Sequence, residues 1–176
     1  MEDNKFTEQL SGHDTTITED KMAHCKAVAE HMKKVAKIQG KDELTADIYY
    51  VVGLLHDIGY LRGRKDHEIN GAVILKAMGM KDEYVQAILN HGTNPYTLDT
   101  NEQTDILRAL QDADMSVDKY GRDVGFKKRL EDIKIRHGAD SEAYDTASET
   151  VRFLKEKYDD EQSKLVKKCK DNYERI

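Results

Sequence analysis

Apolar residues recur along most of this chain at three- and four-residue spacing, the period of helices with one buried face. Thr16 with Glu19 reads as a capping box and predicts a helix start. Cys25, Val28, Ala29, Met32, Val35 and Ala36 follow at helical spacing, and Gly40 ends the run. A second helix carries Leu44, Ile48, Val51, Val52 and Leu55 on one stripe, reaches His56-Asp57 and stops near Gly59. The segment Tyr60 to Asp66, with Gly63 and the basic residues Arg62, Arg64 and Lys65, reads as a loop. A third helix begins near His67 and runs through Ala72, Leu75 and Met78 to Gly79; a short one with Tyr84, Val85, Ile88 and Leu89 ends at His91-Gly92. Residues 92 to 100 form a loop around Asn94-Pro95. Thr100 with Gln103 is a second capping box, opening a helix with Ile106, Leu107, Leu110 and Val117 that ends near Gly121. Tyr144, Ala147, Val151, Leu154, Tyr158 and Leu165 trace one long C-terminal helix. No segment alternates with period two, and Pro95 is the sole proline, so long helices are permitted nearly everywhere. The expected fold is all-α, a compact helical bundle with a long C-terminal helix.

Composition sharpens this only in places. A length of 176 residues suits one domain with appendages: a loose lead-in over 1–14, a helical domain over 15–125 and a C-terminal helical extension over 126–176 packing on it. The alternative for the C-terminal stripe is a homodimer contact. The net charge of −6 is a poor field for sequence-independent nucleic-acid binding. Lys33-Lys34, Lys127-Lys128-Arg129 and Lys167-Lys168 are therefore read as solvated helix faces. No apolar stretch approaches the ~18 residues of a membrane helix. The first residues lack the pattern of a secretory signal, and Cys25 and Cys169 are too few for a disulfide framework. The expectation is a soluble cytoplasmic protein with no membrane and no nucleic-acid partner.

The candidate chemistry lies in histidines and aspartates. His24 shares a stripe with Val28, His31 and Val35, so it faces inward or toward a cleft, whereas His13 and His137 lie in polar surroundings. His31 reads as a cleft-lining or structural residue. His56 and His91 sit at helix C-termini and His67 near a helix start, and such ends can converge on one cavity in a bundle. Asp57 follows an apolar run, where an unpaired charge is costly and a divalent metal is an efficient partner. Asp114 lies on the Leu110–Val117 face of its helix. Asp112, about 200° around the helix from it, is expected to face solvent. Asp118, on the same face as Asp114, is expected to help as an acceptor. Asp114 could alternatively pair with a buried basic residue. Cys25 points into the packed stripe and reads as a buried small residue. Imidazoles and carboxylates without thiolate suit iron, manganese, zinc, cobalt or nickel. Four such ligands hold one metal; six hold two bridged by a carboxylate.

His24, then His56-Asp57 within Leu-Leu-His-Asp-Ile-Gly, then Ala113-Asp114 near a helix end resemble the H…HD…D signature of the HD-domain superfamily, over roughly residues 18 to 125. His67, in His67-Glu68-Ile69-Asn70-Gly71-Ala72, and His91 resemble the extra histidines of its two-metal branch. The resemblance implies an all-helical, metal-dependent phosphohydrolase. His24, His56, Asp57 and Asp114 would hold a first divalent transition metal, and Asp57 would bridge to a second held by His67 and His91. A metal-bound hydroxide would attack a small phosphoester, a nucleotide or related compound, with Asp57 helping to orient it. In the one-metal alternative, His67 and His91 bind substrate phosphate or act as acid. Many members carry a lysine directly after His-Asp-Ile-Gly; this chain has Tyr60. Arg62, Arg64 and Lys65 are the expected replacements for its charge. Two rival functions remain: a di-iron oxygenase of the same superfamily, and a nucleotide-binding module with weak or no turnover.

Overall fold

The computed structural model describes residues 17–63 and 65–173. The expected lead-in, His13, Thr16 and Arg64 lie outside the described residues, as do the side chains of Tyr158, Leu165, Lys167, Lys168 and Cys169. Helix α1 (Glu19–Ile38) is capped by Thr18, whose hydroxyl accepts the Lys21 N–H at 3.2 Å. Helix α2 (Glu43–Leu55) is capped by Asp42, which accepts the Thr45 N–H at 2.7 Å. A 3₁₀ turn (Ile58–Arg62) leads to α3 (His67–Ala77) and α4 (Asp82–Asn90). A second 3₁₀ turn (Pro95–Thr97) precedes α5 (Asp105–Ser116). Helix α5 is capped by Thr104 rather than Thr100; Gln103 instead donates to the Pro95 and Leu98 carbonyls, bracing the loop. Helices α6 (Gly125–His137) and α7 (Glu142–Tyr173) follow, so a further helix that periodicity does not single out lies before the long C-terminal one. Among the described residues there are seven α-helices and no strand, and the fold is all-α. No described helix is long and apolar enough to cross a membrane.

Helix α1 lies along α2 and against α5, α3 along α4, and α4 against α5. Val28 and Met32 of α1, Val52 of α2, Leu75 of α3, Ile88 of α4 and Leu107 and Leu110 of α5 meet in one core. Each fully buried side chain of this size contributes about 1.5–3 kcal/mol. The expected face of α2 needs correction. Leu44 is 72% exposed and Val51 40% exposed, while Ala46, Tyr49, Val52 and Gly53 are buried. Small residues decide this. A Cβ on Gly53 would sit 2.8 Å from the Ala29 Cα, so the two helices meet backbone to backbone through Gly53 and Ala29.

A satellite cluster joins Met115 of α5 to Ile133 of α6 and Ala147 and Val151 of α7. The Tyr96 hydroxyl donates to Glu156 at 2.6 Å and accepts from Arg152 at 3.2 Å, tying the second 3₁₀ turn to α7. The loop that follows His91 is thereby held from outside the N-terminal helices.

Candidate metal centre

Five helices bring residues to one place. His24 lies in the second turn of α1, and His56-Asp57 come directly off the last turn of α2. His67 opens α3, and His91 caps the end of α4. Asp66, immediately before His67, has φ 55°, the one left-handed non-glycine residue among those described. Aspartate tolerates this conformation better than most residues, and it sets the sharp entry into α3. Asp114 stands in the last turn of α5.

The ring orientations are imposed by the backbone. His24 Nδ1 is 3.0 Å from the Asp118 carbonyl, His56 Nδ1 2.8 Å from the Gly53 carbonyl, and His91 Nδ1 2.7 Å from the Ile88 carbonyl. A carbonyl oxygen only accepts, so in each ring Nδ1–H donates, and Nε2 is left as the nitrogen that can take either a proton or a metal. Those Nε2 atoms turn to the two carboxylates. His24 Nε2 is 3.0 Å from Asp114 Oδ1, and His56 Nε2 is 3.3 Å from Asp57 Oδ2. His67 and His91 Nε2 lie 3.4 and 3.9 Å from Asp57 Oδ1. His67 Nδ1 has Glu68 at 3.2 Å. Imidazoles with one nitrogen engaged outward and the other inward are the arrangement of metal-ligating histidines.

The donor set fits a cation. Ligand atoms of His24, His56 and Asp57 lie within 4.8 Å of one another, as do those of His56, His91 and Asp114, and those of Asp57, His67 and His91. Asp57 belongs to two of these groups. His56 Nε2 is fully buried with no hydrogen-bond partner, an unmet need that a metal would satisfy. The groups could hold a divalent metal; they do not name which. All six residues expected from the sequence therefore come together.

Both carboxylates also have cationic neighbours. Burial disfavours the charge on Asp57, but His56, Lys21 and His91 hold its carboxyl well below the usual range. Burial likewise opposes charge on Asp114, outweighed by the His24 hydrogen bond and Arg129. Burial disfavours the His56 imidazolium, yet the adjacent Asp57 raises its pKa to about 8. A proton and a cation thus compete for the same nitrogen. His67 moves down, through burial and then repulsion from His91.

Several expectations change. Arg129, expected on a solvated face, has a side chain only 11% exposed; its Nη2 lies 3.3 Å from Asp114 Oδ1 and its Nε donates to the Asp114 carbonyl at 3.2 Å. Asp112, expected in solvent, meets His31 Nε2 at 3.0 Å, because the far side of α5 faces α1. Asp118 assists through its backbone carbonyl, while its carboxylate closes the turn onto the Tyr120 and Arg122 N–H groups. Arg62 and Lys65 are exposed. Cys25 is buried, and burial first and Asp57 second push its thiol up to about 12, so it is no nucleophile. Lys21, absent from the sequence-derived set, donates to Asp57 Oδ2 at 2.7 Å. The signal for it is its place one helical turn before His24.

Buried Gln111 supports the His91 end of the site: its Nε2 lies 3.4 Å from the His91 carbonyl and 3.2 Å from the Thr93 carbonyl. Gln111→Leu keeps the volume and leaves both carbonyls unpaired. The expected cost is about 1–3 kcal/mol in urea unfolding, with metal binding at the His67–His91 side weakened about 10–100-fold in chelator competition. Unchanged values in both assays would remove Gln111 from this role.

The model of the HD domain family matches residues 22–116. No curated protein and no solved structure matches the chain. The chain belongs to the HD domain family, an all-α family whose members are generally metal-dependent hydrolases and whose domains bind divalent metals.

Proposed function

We propose that this member of the HD domain family hydrolyses a small phosphoester, a nucleotide or related compound. His24, His56, Asp57 and Asp114 hold one divalent metal, and Asp57, His67 and His91 a second. The observation that carries the reading is the inward turn of the histidine Nε2 atoms onto two carboxylates, with the Nδ1 protons of His24, His56 and His91 engaged on backbone carbonyls. Divalent metal held there supplies a Lewis acid for a phosphoryl oxygen and a water acidic enough to give hydroxide near neutral pH.

The chain's own residues do the rest. Asp57 turns Oδ2 toward His56 and Oδ1 toward His67 and His91, so a single carboxylate spaces the two halves of the site. His56 is 1% exposed and Asp57 4%, which keeps bulk water from the inner wall and strengthens every electrostatic contact made there. His67, with its side chain 18% exposed, stands at the open side, within reach of an arriving substrate. Residues 15–125 form the metal-binding unit in this reading, and 126–176 an extension that reaches Asp114 through Arg129.

Metal-loaded protein is expected to release inorganic phosphate from at least one member of a panel of nucleotides and simple phosphomonoesters. Folded, metal-loaded protein that releases none from the whole panel would overturn the reading. A second reading, oxygen activation by two irons, would use the same ligand groups. Substrate-dependent oxygen uptake by iron-loaded protein, without phosphate release, would select it. Tight nucleotide binding with neither product would select a binding module.

A further inference from the structure

The lysine that many HD domains place directly after His-Asp-Ile-Gly is Tyr60 here. A tyrosine ring offers no positive charge to a phosphate, but its face attracts a cation. The Lys21 Nζ stands 4.1 Å from the centre of that ring and 2.7 Å from Asp57 Oδ2. The Tyr60 ring also packs on His67, with centroids 4.4 Å apart. Lys21 thus enters the site from α1, across a platform formed by the residue that stands at the lysine position. Its side chain is 28% exposed against 5% for Asp57, so it lies on the solvent side of the carboxylate, where an anion must arrive. Arg62 and Lys65 lie exposed in the segment beyond.

We propose that Lys21 is the anion-binding residue of the site, receiving the phosphoryl oxygens of the substrate with Tyr60 as its platform. The inference rests on the phosphohydrolase reading and deepens it. An ammonium and a divalent cation repel each other, so a metal held by Asp57 would weaken the Lys21 contact to Oδ2 and leave the Lys21 charge for another anion. The helix cap at Thr18 fixes the Lys21 backbone, and the Tyr60 face holds its ammonium. A charge-assisted contact from an ammonium to a phosphoryl oxygen suits this position, since Lys serves phosphates as a compact point charge.

The test compares wild type, Lys21→Met and Lys21→Arg, each reconstituted with manganese and analysed for metal content. Inorganic phosphate is the probe, titrated calorimetrically, with KM and kcat measured on a turned-over phosphomonoester. Lys21→Met, which keeps the stem, is expected to bind phosphate about 10–100-fold more weakly. Its metal content should equal or exceed that of wild type, and the loss should fall mainly on KM. Lys21→Arg should recover most of the affinity. Phosphate binding unchanged in Lys21→Met at equal metal content would overturn the inference and leave Lys21 as a counter-ion of Asp57. Loss of metal from Lys21→Met would do the same. Wild type that binds phosphate through Lys21 but hydrolyses nothing would sink the phosphohydrolase reading and keep the anion site. Metal-loaded wild type that binds no phosphate would overturn the anion site, while the phosphohydrolase reading would stand or fall on phosphate release from the panel.

Discussion

Asp57→Ala is expected to empty the centre of metal. Elemental analysis of protein purified without chelator should find about two metals per chain in the six-ligand reading, or about one in the four-ligand reading, and none in the variant. The reason lies in the shared position of this carboxylate. It completes both the His24–His56 group and the His67–His91 group, and one oxygen faces each. His56 and His91 also belong to two groups each, but Asp57 is the shared residue that can offer two oxygens. Loss of the Lewis acid removes several kcal/mol of transition-state stabilisation, so kcat/KM should fall at least about a thousandfold. The variant also leaves the Lys21 ammonium without its partner and removes the charge that holds His56 up at about 8. Asp57→Asn, of nearly the same shape, separates the charge from the packing. Circular dichroism should show both variants folded. Metal retained at the wild-type level in a folded Asp57→Ala protein would end the assignment of Asp57 as the bridging ligand. About one metal in wild type would return His67 and His91 to substrate duty.

The second large effect is expected from a single methyl group. A Cβ on Gly59 would lie 1.8 Å from the His67 carbonyl oxygen and 2.6 Å from the Gly71 nitrogen. Both are backbone atoms of α3 and cannot swing aside as a side-chain tip can. For Gly59→Ala the helix must retreat by about 1 Å, and overpacking of this kind costs about 3 kcal/mol or more. That corresponds to a fall in Tm of about 6–12 °C for a domain of this size. The same shift draws His67 away from Asp57 Oδ1, now at 3.4 Å. Misplacement by about 1 Å can cost 100-fold in activity. Thermal unfolding and metal titration check the two consequences separately. A Gly59→Ala protein as stable as wild type would show that the turn and α3 are not in contact as described.

Much of the site is legible in the amino-acid sequence. His24 sits on an apolar stripe, His56 and His91 follow apolar helices, and the Leu-Leu-His-Asp-Ile-Gly string fixes an aspartate beside one of them. Helical periodicity is a local property, so it places these residues at helix ends and on inward faces without knowledge of the partners. It picks out Asp114, but its ground for setting Asp112 aside fails, since the Asp112 side chain is 13% exposed against 23% for Asp114. The all-α class follows from the same source, together with a single proline.

Helix starts are harder to read, because threonines lie close together and each can cap. Thr18 caps α1, and Thr104 caps α5 in place of Thr100. Periodicity misplaces the face of α2 because hydrophobicity ranks Leu44 above Gly53. Close packing on Ala29 rewards absence of a side chain, which no apolar stripe records.

The sequence by itself determined the kinds of ligand, their places on helix ends and the expectation of a metal centre, because these depend on residue type and the 3.6-residue period. Tertiary structure alone decided which charges enter that centre. Arg129 reaches Asp114 from α6, Asp112 turns to His31 rather than to water, and Lys21 takes the charge position that Tyr60 leaves open. Each of these depends on the packing of one helix against another, and a long cationic side chain reads the same in sequence whether it ends in solvent or on a buried carboxylate.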